Sequence, residues 1–424
     1  MLRRTLILMI VLYISAMSFA DDSNGSSSFW SQFAEPEIHG FVEGRGGFRT
    51  RNDPDEKDSS IMETRLQVDV FTYNDWADFK FKGDVWYDGI LGDTVFDTRE
   101  LWMFTRPTDY MDIKIGRQIL TWGTGDLLFL NDMFPKDWQS FFIGRDTEYL
   151  KAPSNAVKFS FFHDLANVDV VYTPQFDSDR HITGDYISYW DGNLARRSGR
   201  DKLVRTDKPN TWFKDDEIAM RIYKNINNYE YALYGYWGYW KSPGGQNASG
   251  IATFPRLNVY GASLRGQLGS GIVNAEIAYY QSTNDINGSN FLINNSEMRY
   301  LVGYTQELAK DFNAGIQYYI EQMLNYDNYT DALPAGSTQR DEFRHLLTLR
   351  LTQLMMNQNL RLSLFTYYSP TDRDTYMRPN INYKVTDDMA VEVGANLFYG
   401  KQPHTFFGQF ENNSNIYTSV RYNF

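Results

Sequence analysis

The sequence predicts an all-β chain: a transmembrane antiparallel β-barrel of about eighteen strands, with sixteen the nearest alternative count. Three observations predict it. Hydrophobic residues recur at every second position along most of the chain. Beyond an N-terminal apolar run, no stretch approaches the ~18 residues that a spanning helix needs. Finally, short and long connections between the alternating segments follow one another in turn.

Composition points the same way. Only 42% of residues are hydrophobic and the mean hydropathy is −0.49, yet 16% are aromatic, including 30 Tyr and 29 Phe. Cysteine is absent, so no disulfide framework compensates for a thin core. A barrel with lipid outside and water inside needs neither long apolar runs nor a dense interior. A soluble β-sandwich or propeller is the alternative, but neither has a reason to alternate its loop lengths.

The N-terminus reads as an export signal. Arg3 and Arg4 form a basic start, an apolar run extends from Leu6 to about Met17, and Ser18 and Ala20 supply small residues before a cleavage point. This assigns residues 1–20 to a signal peptide, 21–36 to a polar lead-in segment on the periplasmic side and 37–424 to the barrel.

Within the barrel the period is two. In "DFKFKGDVWYDG", Phe79, Phe81, Val85 and Tyr87 oppose Lys80, Lys82, Asp84 and Trp86; in "NQNLRLSLFTYY", Leu360, Leu362 and Leu364 oppose Arg361, Ser363 and Phe365. Segments of this kind fall near 37–50, 60–73, 76–88, 94–106, 110–122, 155–163, 167–174, 216–225 and 229–240. They continue near 256–268, 271–283, 297–308, 311–323, 342–355, 359–369, 376–385, 388–400 and 413–424. Most match the ~9–11 residues of a tilted spanning strand better than the ~5–6 of a globular one. Short turns such as "YNDWA", "LGSG" and "VTDDM" alternate with long links at 124–154, 175–215, 241–255, 284–296, 324–341 and 401–412. Aromatic pairs (Trp86-Tyr87, Tyr279-Tyr280, Tyr318-Tyr319, Tyr367-Tyr368, Phe398-Tyr399) recur just before the longer links, at the depth of a membrane-interface girdle.

The last residues, "IYTSVRYNF", put Thr418, Val420, Tyr422 and Phe424 on the lipid-facing parity and Ser419, Arg421 and Asn423 inside. Here the chain resembles bacterial outer-membrane β-barrels, whose final strand commonly ends in Phe. The resemblance implies residence in the bacterial outer membrane of a Gram-negative cell, contact with its lipid and lipopolysaccharide, and Tyr422 and Phe424 as a signal to the barrel-assembly machinery. It leaves a homotrimer and a monomer both open.

A barrel of sixteen or more strands encloses an aqueous channel, so the inward parity describes what a solute meets. That parity carries Arg65, Lys80, Lys82, Arg99, Lys114, Lys158, Arg221, Arg265, Arg299, Arg344, Arg350, Arg361, Arg378, Lys384 and Arg421. Against them it carries Glu43, Asp69, Asp84, Asp97, Asp112, Asp169, Glu276, Glu321 and Glu392, so the wall reads as basic although the chain carries −12 overall. A basic wall favours anions; the competing reading is that these charges pair across strands and only stiffen the wall. At "IKIGRQILTW" the parity aims Arg117 at lipid, which requires either a bulge near Gly116 or a position at the rim.

The link 124–154 is too apolar for a solvated loop, with Leu127, Leu128, Phe129, Leu130, Phe134, Trp138, Phe141 and Phe142. The expectation is that it folds into the barrel mouth and narrows it, with Asp126, Asp132, Lys136, Asp137, Arg145, Asp146 and Lys151 as charges of a constriction; an external cap is the alternative. The next link holds Arg196, Arg197, Arg200, Lys202 and Arg205, a run suited to gathering polyanions or to simple solvation.

The stretch "DIKIGRQILTWGTGDLLF", with Gly116, Arg117, Gln118, Trp122 and Gly123, resembles a strand-and-loop motif of alginate-export-type barrels. That resemblance implies eighteen strands and a basic lumen. No G-x-S-x-G, H-E-x-x-H or phosphate-loop pattern occurs, and the five histidines offer no nucleophile–base set, so no enzyme, cofactor or metal site is expected. No compact basic fold speaks for nucleic-acid binding. The expected function is passive passage of small hydrophilic, anionic solutes; the alternatives are a polysaccharide or specialised-substrate export barrel and a non-conducting adhesion or partner-binding barrel.

Overall fold

The computed structural model describes residues 33–424; the expected signal peptide and residues 21–32 of the lead-in lie outside the described residues. The alternating segments form one sheet of eighteen strands. The first nine are β1 Glu37–Arg49, β2 Ser59–Tyr73, β3 Asp78–Asp88, β4 Asp93–Thr108, β5 Met111–Ile119, β6 Pro153–Phe161, β7 Asn167–Thr173, β8 Glu217–Ile226 and β9 Tyr229–Tyr239. The second nine are β10 Arg256–Leu268, β11 Gly271–Ser282, β12 Glu297–Ala309, β13 Phe312–Met323, β14 Phe343–Met355, β15 Leu360–Ser369, β16 Asp374–Lys384, β17 Met389–Gly400 and β18 Asn415–Asn423.

Each strand pairs antiparallel with its sequence neighbours, and β1 also pairs with β18 from Phe41↔Asn423 to Arg49↔Asn415. The sheet is therefore closed and has no free edge at the seam. At that seam Gly40 and Phe424 exchange both backbone hydrogen bonds at 3.0 Å. A Cβ on Gly40 would stand 2.7 Å from the Phe424 ring, so the glycine leaves room for the terminal aromatic.

The pleat separates two environments. Outward positions such as Val42, Leu66, Val85, Leu233, Val302, Leu349, Val393 and Val420 are exposed, and together they wrap the wall in apolar side chains. A water-soluble protein does not leave such a belt bare; the hydrocarbon of a bilayer covers it. Among the described residues no helix is long and apolar enough to cross a membrane, which says nothing against crossing by strands.

Connections at one end are short turns. Those at the other end are mostly long, but two of them are tight: Gly89–Gly92 after β3 and 370–373 after β15. The long ones carry small elements of their own: helix α1, Trp138–Ile143, helix α2, Tyr326–Ala332, and ribbons such as Tyr189–Asp191 with Arg196–Ser198.

A candidate pore and its inward-folded loop

The link between β5 and β6 does not stay outside the barrel. Its first part is held by the inner wall on one side. The Thr124 and Gly125 N–H groups donate to the Glu276 carboxylate of β11, and Asn131 Nδ2 donates to the same carboxylate at 2.7 Å. Asp126 N–H donates to Gln317 of β13 at 2.7 Å, and Gln317 Nε2 returns a bond to the Asp126 carbonyl at 2.8 Å. The Arg350 guanidinium of β14 grips both Asp126 carboxylate oxygens, one at 2.7 Å. Tyr367 of β15 and Tyr280 of β11 donate to the carbonyls of Leu127 and Leu130.

The second part crosses to the opposite wall. Asp137 caps α1 by accepting from Ser140 N–H, and Gly144 ends it at φ +96°, the left-handed turn that favours glycine. Phe142 of α1 packs edge-on to Tyr376 and Phe398 at 5.3 and 5.5 Å, in an aromatic core with Phe141 and Phe410. Beyond the helix, Arg45 of β1 donates to the Gly144 carbonyl at 2.6 Å, and Arg145 donates through Nε to Glu63 of β2 at 2.8 Å. Arg99 of β4, buried, donates to the carbonyls of Glu148 and Lys151 at 3.0 Å each. The loop thus binds inward-facing residues from β11 round through β18 to β4.

A second loop, 174–216, lies over the first. Asp179 accepts from Lys136 N–H, Arg180 pairs with Asp97 and Asp137, and the Tyr186 hydroxyl donates to Asp88. Burial and the bond to Asp88 hold the Tyr186 phenol well above its ordinary range, so it stays a neutral donor. Four cations of its basic run are ion-paired: Arg196 with Asp201, Arg197 with Glu411, Arg200 with Glu56, and Lys202 with Asp191. The run holds the cap together, which leaves little of it free to gather polyanions.

No protein-family model matches the chain, and no curated protein matches it in sequence. Solved structures do match in shape. Pseudomonas aeruginosa OccD3 (OpdP) aligns over 92% of this chain and 91% of its own at 9% identity, with a TM-score of 0.54. Acinetobacter baumannii OccAB3 aligns over 92% and 99% at 8% identity, TM-score 0.55, and Pseudomonas aeruginosa OpdL over 92% and 99% at 8% identity, TM-score 0.53. The chain has the fold of a bacterial outer-membrane porin.

Within this porin-type barrel the register carries the fifteen expected cations on the inner parity. They divide by height. At the short-turn half, Lys80 pairs with Asp69 at 3.1 Å, Lys158 with Asp169 at 3.1 Å, and Arg221 with Glu230 at 2.6 Å. Lys114, Arg265, Arg361 and Lys384, in the same half, make no ion pair among the described residues; Lys114 rests over the Trp102 ring at 4.0 Å. Lys82 and Arg421 reach towards Glu148 and Asp146 of the inward loop.

In the long-loop half the expectation of solute-facing cations needs correction. Arg65, Arg99 and Arg378 are buried beneath the loop, where Arg65 pairs with Glu63 and Asp84, and Arg378 lies over the Phe141 ring at 3.9 Å. Arg299 pairs with Glu297, and Arg344 with Asp372. These groups hold protein to protein. The same correction applies to the proposed constriction charges. Asp132, Lys136, Asp137 and Arg145 are buried, Lys136 against Asp132 at 3.0 Å, because the loop packs this side on the wall. Asp126 and Asp146 keep contact with water; Lys151 is half-buried at the loop's end.

Inward acids beyond the expected ones also emerge: Glu63, Asp88, Glu217, Glu230 and Glu297, with Arg45 as a further cation. Extending the alternation to the strand ends would have found them, since Glu63 and Glu297 stand two residues before Arg65 and Arg299 on the same face. Arg117 sits at the rim: no register shift falls there, Gly116 takes φ +126°, and the guanidinium donates to the Thr98 carbonyl and approaches Asp97 at 3.8 Å.

Proposed function

We propose that the protein is an outer-membrane channel for small hydrophilic solutes, with anions favoured, and that the loop 120–152 forms its constriction. The observation that carries this reading is the loop itself, bound from β11 round to β4 by inward-facing side chains of a closed eighteen-strand wall. Such a loop narrows a lumen that the wall alone would leave wide. Anion preference rests on height: the unpaired Lys114, Arg265, Arg361 and Lys384 line the short-turn half, while most of the additional acids are consumed in the ion pairs above. Tyr422 and Phe424, exposed at the closing seam, are proposed to be read by the assembly machinery.

Liposome swelling tests this. Vesicles holding the refolded chain should swell faster in a small organic anion than in a neutral sugar of equal size, and slowest in the matched cation. Equal rates for anion and cation would remove the selectivity, and no swelling from a folded barrel would remove the channel.

A further inference from the structure

A basic patch stands on the outer face where β16 and β17 meet at the long-loop end. Asp374 pairs with Gly400, so Arg373 and Lys401 lie opposite each other one step further on, and Lys401 N–H donates to the Arg373 carbonyl at 3.3 Å. Faces alternate along a strand. Tyr399 is outward and exposed, opposite Thr375, so Lys401 and Arg373 continue the outward parity above that pair. From the loop after β1, the Arg51 guanidinium comes to 5.6 Å from the Tyr399 ring. Three cations therefore gather at the upper border of the apolar belt, above the exposed rings of Tyr399 and Tyr368.

The acids nearby are committed elsewhere. Asp372 turns inward to Arg344 at 2.6 Å. Asp374 is buried and accepts from Phe407 N–H at 2.7 Å. Glu411 lies 2.5 Å from Arg51 but is shared with Arg197 at 3.6 Å. Arg373 and Lys401 make no ion pair among the described residues. Like charges collected in this way repel unless an anion sits among them. Their height, just beyond lipid-facing tyrosines, is that of lipid head groups.

We propose that Arg51, Arg373 and Lys401 bind the phosphate groups of a phosphorylated glycolipid, lipopolysaccharide, in the leaflet on the long-loop side, with Tyr399 and Tyr368 against its acyl region. The inference rests on residence in the outer membrane. Phosphate oxygens accept charge-assisted hydrogen bonds from guanidinium and ammonium groups, and the amphipathic rings suit the boundary beneath them.

The full chain, folded in detergent, would be titrated with bisphosphorylated lipid A, with its monophosphoryl form and with inorganic phosphate, and bound lipid counted by native mass spectrometry. The triple variant R51Q/R373Q/K401Q should bind lipid A at least about tenfold more weakly. The milder Lys401→Gln should weaken it in the same direction, and K214Q/R256Q, cations elsewhere on the rim, should leave it unchanged. The monophosphoryl form should bind the native chain more weakly, and inorganic phosphate should not compete. Equal binding by native and triple-variant chains overturns the site, and so does full competition by inorganic phosphate, which would make it a free-anion site. Heat-dependent electrophoretic mobility verifies that each variant is a folded barrel. Membrane fractionation of cells tests the residence separately, since binding in detergent does not depend on it.

Discussion

The inward loop is held at its two ends by the same chemistry in opposite surroundings. At one end Arg145 and Glu63 meet with side chains 8% and 2% exposed; at the other, Arg350 and Asp126 meet with side chains 36% and 43% exposed. The dry pair cannot be opened without leaving a charge in a protein interior, whereas the wet pair exchanges its partner for water or a passing ion at small cost. One end therefore fixes the loop, and the other presents it to the lumen.

Breaking the dry end should have the largest effect. Arg145→Ala strands Glu63 beside Arg65 and should cost about 3–5 kcal/mol of local stability. Hydrogen exchange over 138–150 should lose its protection, and single-channel conductance should rise as the loop leaves the lumen. Unchanged exchange would mean that the aromatic packing of Phe142 holds the loop alone.

Next comes Gly144→Val, at the turn between α1 and the dry pair. A Cβ there would lie 2.4 Å from the Tyr417 ring, in a left-handed conformation that β-branched residues avoid. A loss of about 1–3 kcal/mol is expected in thermal unfolding, with the same rise in conductance.

Asp126→Asn breaks the wet end. Stability should move by only about 0–1 kcal/mol, but Arg350 is freed to the lumen, so anion preference should increase. A large drop in melting temperature would place this pair with the dry one.

The smallest effect sharpens an intermediate case. Glu56, in the loop after β1, keeps Arg200 on one carboxylate oxygen while the other lacks a partner, and burial pushes its pKa from an ordinary 4.5 up to about 7. The folded form thus binds the proton more tightly than the unfolded one. That contribution is complete below about 4.5, declines as pH rises and is gone above about 7. Proteolysis of the 174–216 cap should accelerate as pH climbs through this window, and Glu56→Gln should flatten the dependence.

Much of the barrel was legible because a wall between lipid and water forces a period of two. The segments expected near 256–268 and 311–323 are β10 and β13 to within a residue. Tyr422 and Phe424 face outward, as their parity required. That the 120–152 loop has to bury its apolar residues was legible too. Where it lands was not, because its bonds to Glu276, Arg350 and Glu63 join positions far apart in sequence. The six-residue α1 is too short to show a helical period. Arg65, Arg99 and Arg378 sat on the correct face, but parity alone does not tell a residue under water from one under a loop.

The most direct measurement is the reversal potential of the native chain in a planar bilayer under a KCl gradient. An open pore that prefers chloride, with the preference reduced by changing Lys114, Arg361 and Lys384 to Gln, is the predicted result. A cation-selective pore, or a folded barrel that does not conduct, would contradict it.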